Sequence, residues 1–151
     1  MTRRYALAVG IAAFVVLVDS VTKRFASIRF DDNPLEVIPG FLTFIYTENP
    51  GAAFGSLQNA GPILGVAAIG VSFGLLWALR HPRPGLEIVA FSLIIGGAVG
   101  NLVDRIFRGP GLLDGKVIDW INLWWIPTFN IADMSITTAV ALLLVQTWRT
   151  R

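Results

Sequence analysis

The chain of 151 residues has no cysteine. That excludes disulfides, thiolate catalysis and zinc–cysteine sites, and leaves the compartment open. It has one histidine, His81, in the short polar stretch Arg80–Gly85. A histidine-based metal site or a Ser-His triad is therefore not expected. Charge is scarce, at 15% of residues, with a formal net charge of +2. No basic run occurs, so nucleic acid is not an expected partner.

Apolar residues fill the space. The chain is 54% hydrophobic, with a mean hydropathy of +0.66. That is a membrane composition, and the length suits one integral-membrane domain, 1–151. Arg3 and Arg4 precede an apolar run from Tyr5 to Val18, as in a signal peptide. The run ends in Asp19-Ser20-Val21-Thr22-Lys23 without a small-x-small cleavage site, so it reads as a retained first span.

A span needs about 20 mostly apolar residues. Four segments fit: Tyr5–Lys23, Gly61–Leu79, Leu86–Val103 and Ile131–Trp148. The expected fold class is all-α, four transmembrane helices with a small extracytoplasmic β element. That element is expected in the outer loop Arg24–Ala60. There Leu35 to Thr47 is rich in aromatic and β-branched residues between turn formers.

Four spans put both termini on one side. Arg3, Arg4, Arg80, Arg83, Arg149 and Arg151 would share it, against Lys23, Arg24, Arg29, Arg105, Arg108 and Lys116 on the other. The first group sits in very short segments beside a single acid, Glu87. The second shares long loops and span ends with the other nine acids. Positive-charge density therefore puts the termini and the Arg80–Gly85 loop in the cytoplasm. Trp77 and Trp148 would mark the inner interface and Trp120, Trp124 and Trp125 the outer one, unless the last three only cover a loop.

This topology gathers the polar residues at one membrane face. Asp19, Thr22 and Lys23 end the first span; Asn49, Gly51 and Gly55 precede the second; Asn101, Asp104 and Arg105 end the third; Asn130 and Asp133 begin the fourth. Asp19 and Lys23 share a helix face, as do Asn101, Asp104 and Arg105, and Asn130, Asp133 and Thr137. Such stripes must face one another, because lipid cannot satisfy them. Asp19 with Lys23 reads as a local ion pair at a helix end, and Asp104 as neutralised by its neighbour Arg105. Gly96, Gly97 and Gly100 read as close helix packing.

Asp133, inside an apolar run, and Asp119, in what reads as a Gly-rich loop, have the fewest local partners. A carboxylate within a span is costly, by about 3 kcal/mol at the helix centre. Two close carboxylates can share one proton. The ionised member then takes a proton from water and the protonated one polarises a scissile carbonyl. Ser20 and Lys23 also fit a Ser-x-x-Lys dyad. A proton-coupled carrier would use intramembrane acids as relays, though at several depths. A tetraspan scaffold would leave these acids without a role.

Five motifs in order resemble one family: Asp19–Lys23, Asn49–Gly55, Gly96–Arg105, Val117–Trp120 and Phe129–Asp133. That family is bacterial lipoprotein signal peptidase, or signal peptidase II. The resemblance runs from about residue 15 to residue 137. It implies a four-helix aspartic endopeptidase of the inner membrane with an extracytoplasmic β-cradle. It implies cleavage of prolipoprotein signal peptides before a diacylglyceryl-modified cysteine, with no cofactor and no metal. The catalytic pair maps to Asp119 and Asp133. Asn49, Gly51, Asn101, Arg105 and Asn130 map to the site lining, and Asp19, Lys23 and Asp104 to supporting positions. The segment from Asn49 to Gly55 would form a flap over the site. Further implied are contact with membrane lipid, inhibition by globomycin-type peptides and a monomeric state. Trp120 stands where the family pattern has phenylalanine, and Ser20 where it has glutamine.

Overall fold

The computed structural model describes residues 2–51 and 60–149. Four helices form a bundle: α1 (Thr2–Arg29), α2 (Gly61–Ala78), α3 (Gly85–Phe107) and α4 (Ile131–Arg149). All four are long and apolar enough to cross a membrane. Four strands close one end of it: β1 (Leu35–Ile38), β2 (Leu42–Asn49), β3 (Val117–Leu123) and β4 (Ile126–Phe129). They pair antiparallel in the order β1-β2-β3-β4.

The bundle is inverted relative to a water-soluble one. Large apolar side chains such as Phe14, Ile63, Phe73 and Leu144 point outward. Small and polar ones point inward. α3 is the central helix, packed on α1, α2 and α4. Its glycines set the spacing. A Cβ on Gly96 would lie 2.7 Å from Val15 Cβ, and one on Gly97 would lie 2.5 Å from the Ala132 carbonyl oxygen. Close helix approach is therefore written into α3, where lipid gives little hydrophobic drive to hold helices together.

Three sequence expectations about the fold need correction. The first span was expected to end at Lys23, but α1 continues to Arg29. Its polar residues find partners on α3, and Ala26 and Phe30 are buried beyond them, so nothing forces the helix to stop where the apolar run stops. The break comes at the Asp31-Asp32-Asn33-Pro34 stretch. Second, Asp119 does not lie in a Gly-rich loop. It is the third residue of β3 and pairs with Thr47 across a bulge in β2. The β element thus extends beyond the outer loop between α1 and α2. Alternation in β3 was masked because Val117 and Ile118 are buried on both faces.

Trp120 is also no surface belt residue. It packs edge-on against Phe44, which continues to Phe30 and Phe25 and ties β3 and β2 to the end of α1. Trp124 and Trp125 are exposed at the tip of the β3–β4 hairpin.

Candidate active site

The site starts from one buried cation. Lys23 Nζ lies 2.7 Å from Asp19 Oδ2 and 2.8 Å from Asp104 Oδ2, and donates to Asn101 Oδ1 at 2.9 Å. Lys23 and Asp19 are both essentially inaccessible, at 1% and 0% exposure. Their pair is therefore not a local anchor at a helix end, as their spacing suggested; it joins α1 to α3. Asp104 does not pair with Arg105 either. Its second oxygen takes Arg108 Nε at 2.7 Å, one helical turn on. Consecutive helical residues point about 100° apart, so Asp104 turns inward to Lys23 while Arg105 turns toward the cavity.

Asp19 also reaches α4: its Oδ1 accepts the Ala132 N–H at 2.9 Å. Gly100 makes room for it, since a Cβ there would lie 2.9 Å from Asp19 Oδ2. Packing alone does not account for this glycine. Thr22 bonds back to its own helix at Val18 and Asp19 and takes no part in the network.

Asn130 links the two candidate carboxylates. Its Nδ2 donates to Asp119 Oδ1 at 2.7 Å, with Asn101 Oδ1 and the Ile118 carbonyl each 3.2 Å away. Its Oδ1 accepts the Asp133 N–H at 2.9 Å, and Asp133 Oδ2 accepts the Asn130 N–H at 3.3 Å. That reciprocal pair is a capping box at the N-terminus of α4, made with Asn and Asp. Asp133 is thereby both a helix cap and a candidate site residue. Its Oδ1 accepts from Asn101 Nδ2 at 2.8 Å. The other Asp119 oxygen accepts from Asn49 Nδ2 at 3.0 Å. Burial, helped by the nearby charge of Asp133, pushes the Asp119 carboxyl up to about 6 against the pull of the Asn49 and Asn130 donors.

Both carboxylates border a cavity of about 860 Å³. Its polar head holds Asn49, Gly51, Asn101, Arg105, Asp119 and Asp133. Its apolar body runs between α2, α3 and α4, past Leu64, Ala68, Val71, Ile94 and Ile136. Arg105 Nη2 donates to the Gly51 carbonyl at 2.9 Å, which ties α3 to the chain just after β2. Asn49 Oδ1 accepts the Gly51 N–H at 3.0 Å and turns the chain there. The rest of the expected flap, 52–55, lies outside the described residues. No cluster of three His, Asp or Glu side chains among the described residues is placed to hold a metal ion.

The family description "Signal peptidase (SPase) II" matches residues 11–149. The chain belongs to the signal peptidase II family. It is 38% identical to the lipoprotein signal peptidase of Mycobacterium avium, over 95% of this chain and 79% of that one. It is 40% identical to that of Symbiobacterium thermophilum, over 92% of each. A solved bacterial membrane enzyme, determined by the in meso method, superposes with a TM-score of 0.84 at 32% identity. It covers 95% of this chain and 88% of that one. This chain is thus a peptidase and a multi-pass membrane protein.

Within that family frame, two residues the sequence reading underweighted matter here. Arg108 completes the charge balance of Asp104 and was visible as an i, i+4 pair. The Ile118 carbonyl, a backbone acceptor for Asn130, carried no sequence signal. Ser20 departs from the Ser-Lys reading: it borders a separate groove on α1, and the acceptors of Lys23 do not include it.

Proposed function

We propose that this signal peptidase removes signal peptides from prolipoproteins by an aspartic mechanism, with Asp119 and Asp133 as the catalytic pair. The observation that carries this is the bridge of Asn130 between the two carboxylates at the head of the cavity. Asp119, pushed up to about 6, is suited to hold a proton near neutral pH. Asp133 sits in the first turn of α4, across the Asn130 bridge from Asp119, and is the partner left to act as base. Asp133 takes a proton from water as its oxygen attacks the scissile carbonyl carbon. Asp119 gives its proton to the carbonyl oxygen. The tetrahedral intermediate collapses as Asp133 returns its proton to the leaving nitrogen and Asp119 recovers its own.

The cavity suits the substrate. Its apolar body lies along the bundle and can take a signal helix or acyl chains, while its polar head receives the peptide bond. Cleavage is proposed before a diacylglyceryl-modified cysteine. Arg105, Asn49 and Gly51 line the head beside the carboxylates and are proposed to hold the substrate backbone. Asn101 and Asn130 orient the pair, while Asp19, Lys23 and Asp104 fix the helices that carry them. The protein is placed in the cytoplasmic (inner) membrane, with both termini cytoplasmic and the site near the outer face. The density of basic residues supports that orientation.

The test uses purified protein in detergent with diacylglyceryl-modified and unmodified forms of one prolipoprotein. Cleavage of the modified form alone is expected; equal cleavage of both rejects the lipid requirement. Orientation is checked by single cysteines at positions 31 and 83 of this cysteine-free chain. An impermeant reagent should label only position 31 in intact cells, and labelling at 83 reverses the topology.

A further inference from the structure

Charge balance explains two of the three contacts that Lys23 makes, and not the third. Asp19 and Asp104 are balanced by Lys23 and Arg108 without help from Asn101. Yet Lys23 Nζ also donates to Asn101 Oδ1 at 2.9 Å. An ammonium group has only donors, so it fixes which end of that amide it faces. The Asn101 oxygen takes Lys23 and Asn130 Nδ2, and the amide nitrogen is left to donate to Asp133 Oδ1 at 2.8 Å. The flipped amide would set its NH₂ against an ammonium and its oxygen against a carboxylate. Both contacts would repel, and burial away from water strengthens both repulsions. Lys23 itself does not border the cavity.

We infer that Lys23 is a positioning residue for the reaction: its ammonium locks the Asn101 amide in the orientation that donates to Asp133, and so fixes the Asp133 carboxyl toward the substrate. This rests on the proposal that Asp119 and Asp133 are the catalytic pair. The Asn130 N–H holds the other Asp133 oxygen, so losing the Asn101 donor frees one of two tethers. The charged groups around Asn101 are Lys23 from α1, Asp104 and Arg105 from α3, Asp119 from β3 and Asp133 from α4.

Lys23→Met alone would strand Asp19, a buried carboxylate that pairs with no other cation among the described residues. The charge-balanced pair Asp19→Asn/Lys23→Met avoids that, since Asp104 keeps Arg108. Cleavage of a diacylglyceryl-modified prolipoprotein is measured for this pair, for Asp19→Asn, for Asn101→Ala, and for the pair combined with Asn101→Ala. The pair should lose about tenfold or more in kcat relative to Asp19→Asn. Asn101→Ala should lose a similar factor alone, but less than about threefold when added to the pair, as expected for residues acting through one contact. A full, multiplicative loss in the combined variant overturns the inference, as does a pair that turns over like Asp19→Asn.

Asn101→Asp gives a second test that spares the Lys23 contact and so the fold. Its oxygen still accepts from Lys23, but only its protonated form can donate to Asp133. Activity should fall at neutral pH and partly return in acid, moving the pH optimum down by about one unit. An unchanged optimum overturns the inference. Asp133→Asn in the same assay separates the two ideas. If Asp133→Asn is active, the catalytic pair itself is wrong. If it is inactive and the Asn101 and Lys23 effects multiply, only the role of Lys23 fails.

Discussion

The same four helices end in two different ways. At the end away from the sheet, Ala8, Leu79 and Ile88 pack together against Tyr5 and Phe91. Charge there stays at the surface: Arg83 meets Glu87 at 3.4 Å, and Arg4 donates to the His81 carbonyl. At the sheet end, Asp19, Lys23, Asp104, Asp119 and Asn130 are all buried. One end is sealed by apolar contact, the other by an ion and hydrogen-bond network. Buried charge is an expensive way to seal a bundle, because desolvation offsets much of the Coulombic gain. Among the described residues it is present at one end only, the end that carries the proposed catalytic pair.

Five experiments break or sharpen that contrast, beginning with the largest effect. Asp119→Asn and Asp133→Asn should each lower cleavage by about a thousandfold or more, equivalent to about 4 kcal/mol of activation free energy. Both proteins should still insert and fold. Near-normal turnover of either would remove the functional meaning of the polar end.

Ion pairs at the two ends should differ in weight. Lys23→Met breaks a fully buried set and should cost about 3–5 kcal/mol of stability. Arg83→Met, at a partly exposed pair, should cost under about 1 kcal/mol. Thermal melts of both in one detergent give the comparison, and equal losses would show that burial does not set the value of these pairs.

Leu79→Ala tests the apolar end. Leu79 is inaccessible, so the cavity left should cost about 2–5 kcal/mol. Turnover by the folded protein should be unchanged, because no site residue is touched. A drop in kcat at a temperature where the variant is folded would couple the ends.

The pH dependence of stability should report Asp119. Its folded-state value is raised, so its contribution to stability is present below about pH 4 and is lost as pH rises through about 6. Relative to Asp119→Asn, the wild type should lose on the order of 2 kcal/mol between pH 4 and pH 7.5. Parallel melting curves for the two proteins across that range would refute the raised value.

Glycine contacts give the smallest effect. Gly97→Ala should cost about 1–3 kcal/mol, because its Cβ would press on Ala132 and Ser135 of α4. It should also slow cleavage by shifting the helix that carries Asp133. Gly10→Ala, with nothing within 4 Å, should be neutral or stabilising by under about 1 kcal/mol. Equal melting temperatures for these two variants would mean that α3 and α4 adjust freely.

Sequence composition and hydropathy were enough for four membrane helices and for the end at which the polar residues gather. Both follow from the apolar run lengths and from the odd–even alternation of span ends. The order of the five motifs was enough for the family, and it pointed to Asp119 and Asp133. Partnership was not legible. Asp104 was assigned to Arg105 by adjacency, while the fold gives it Lys23, 81 positions away, and Arg108. The strand that carries Asp119 was hidden because it pairs with β2, about 70 residues earlier, and is buried at its start. Helix period and hydropathy are local properties, so the sequence carries them openly. Which carboxylate meets which cation, and that Asn130 spans the two aspartates, depends on how α1, α3, α4 and the sheet converge. Only the folded chain brings those groups within hydrogen-bonding distance, and only there does burial make their pairing obligatory.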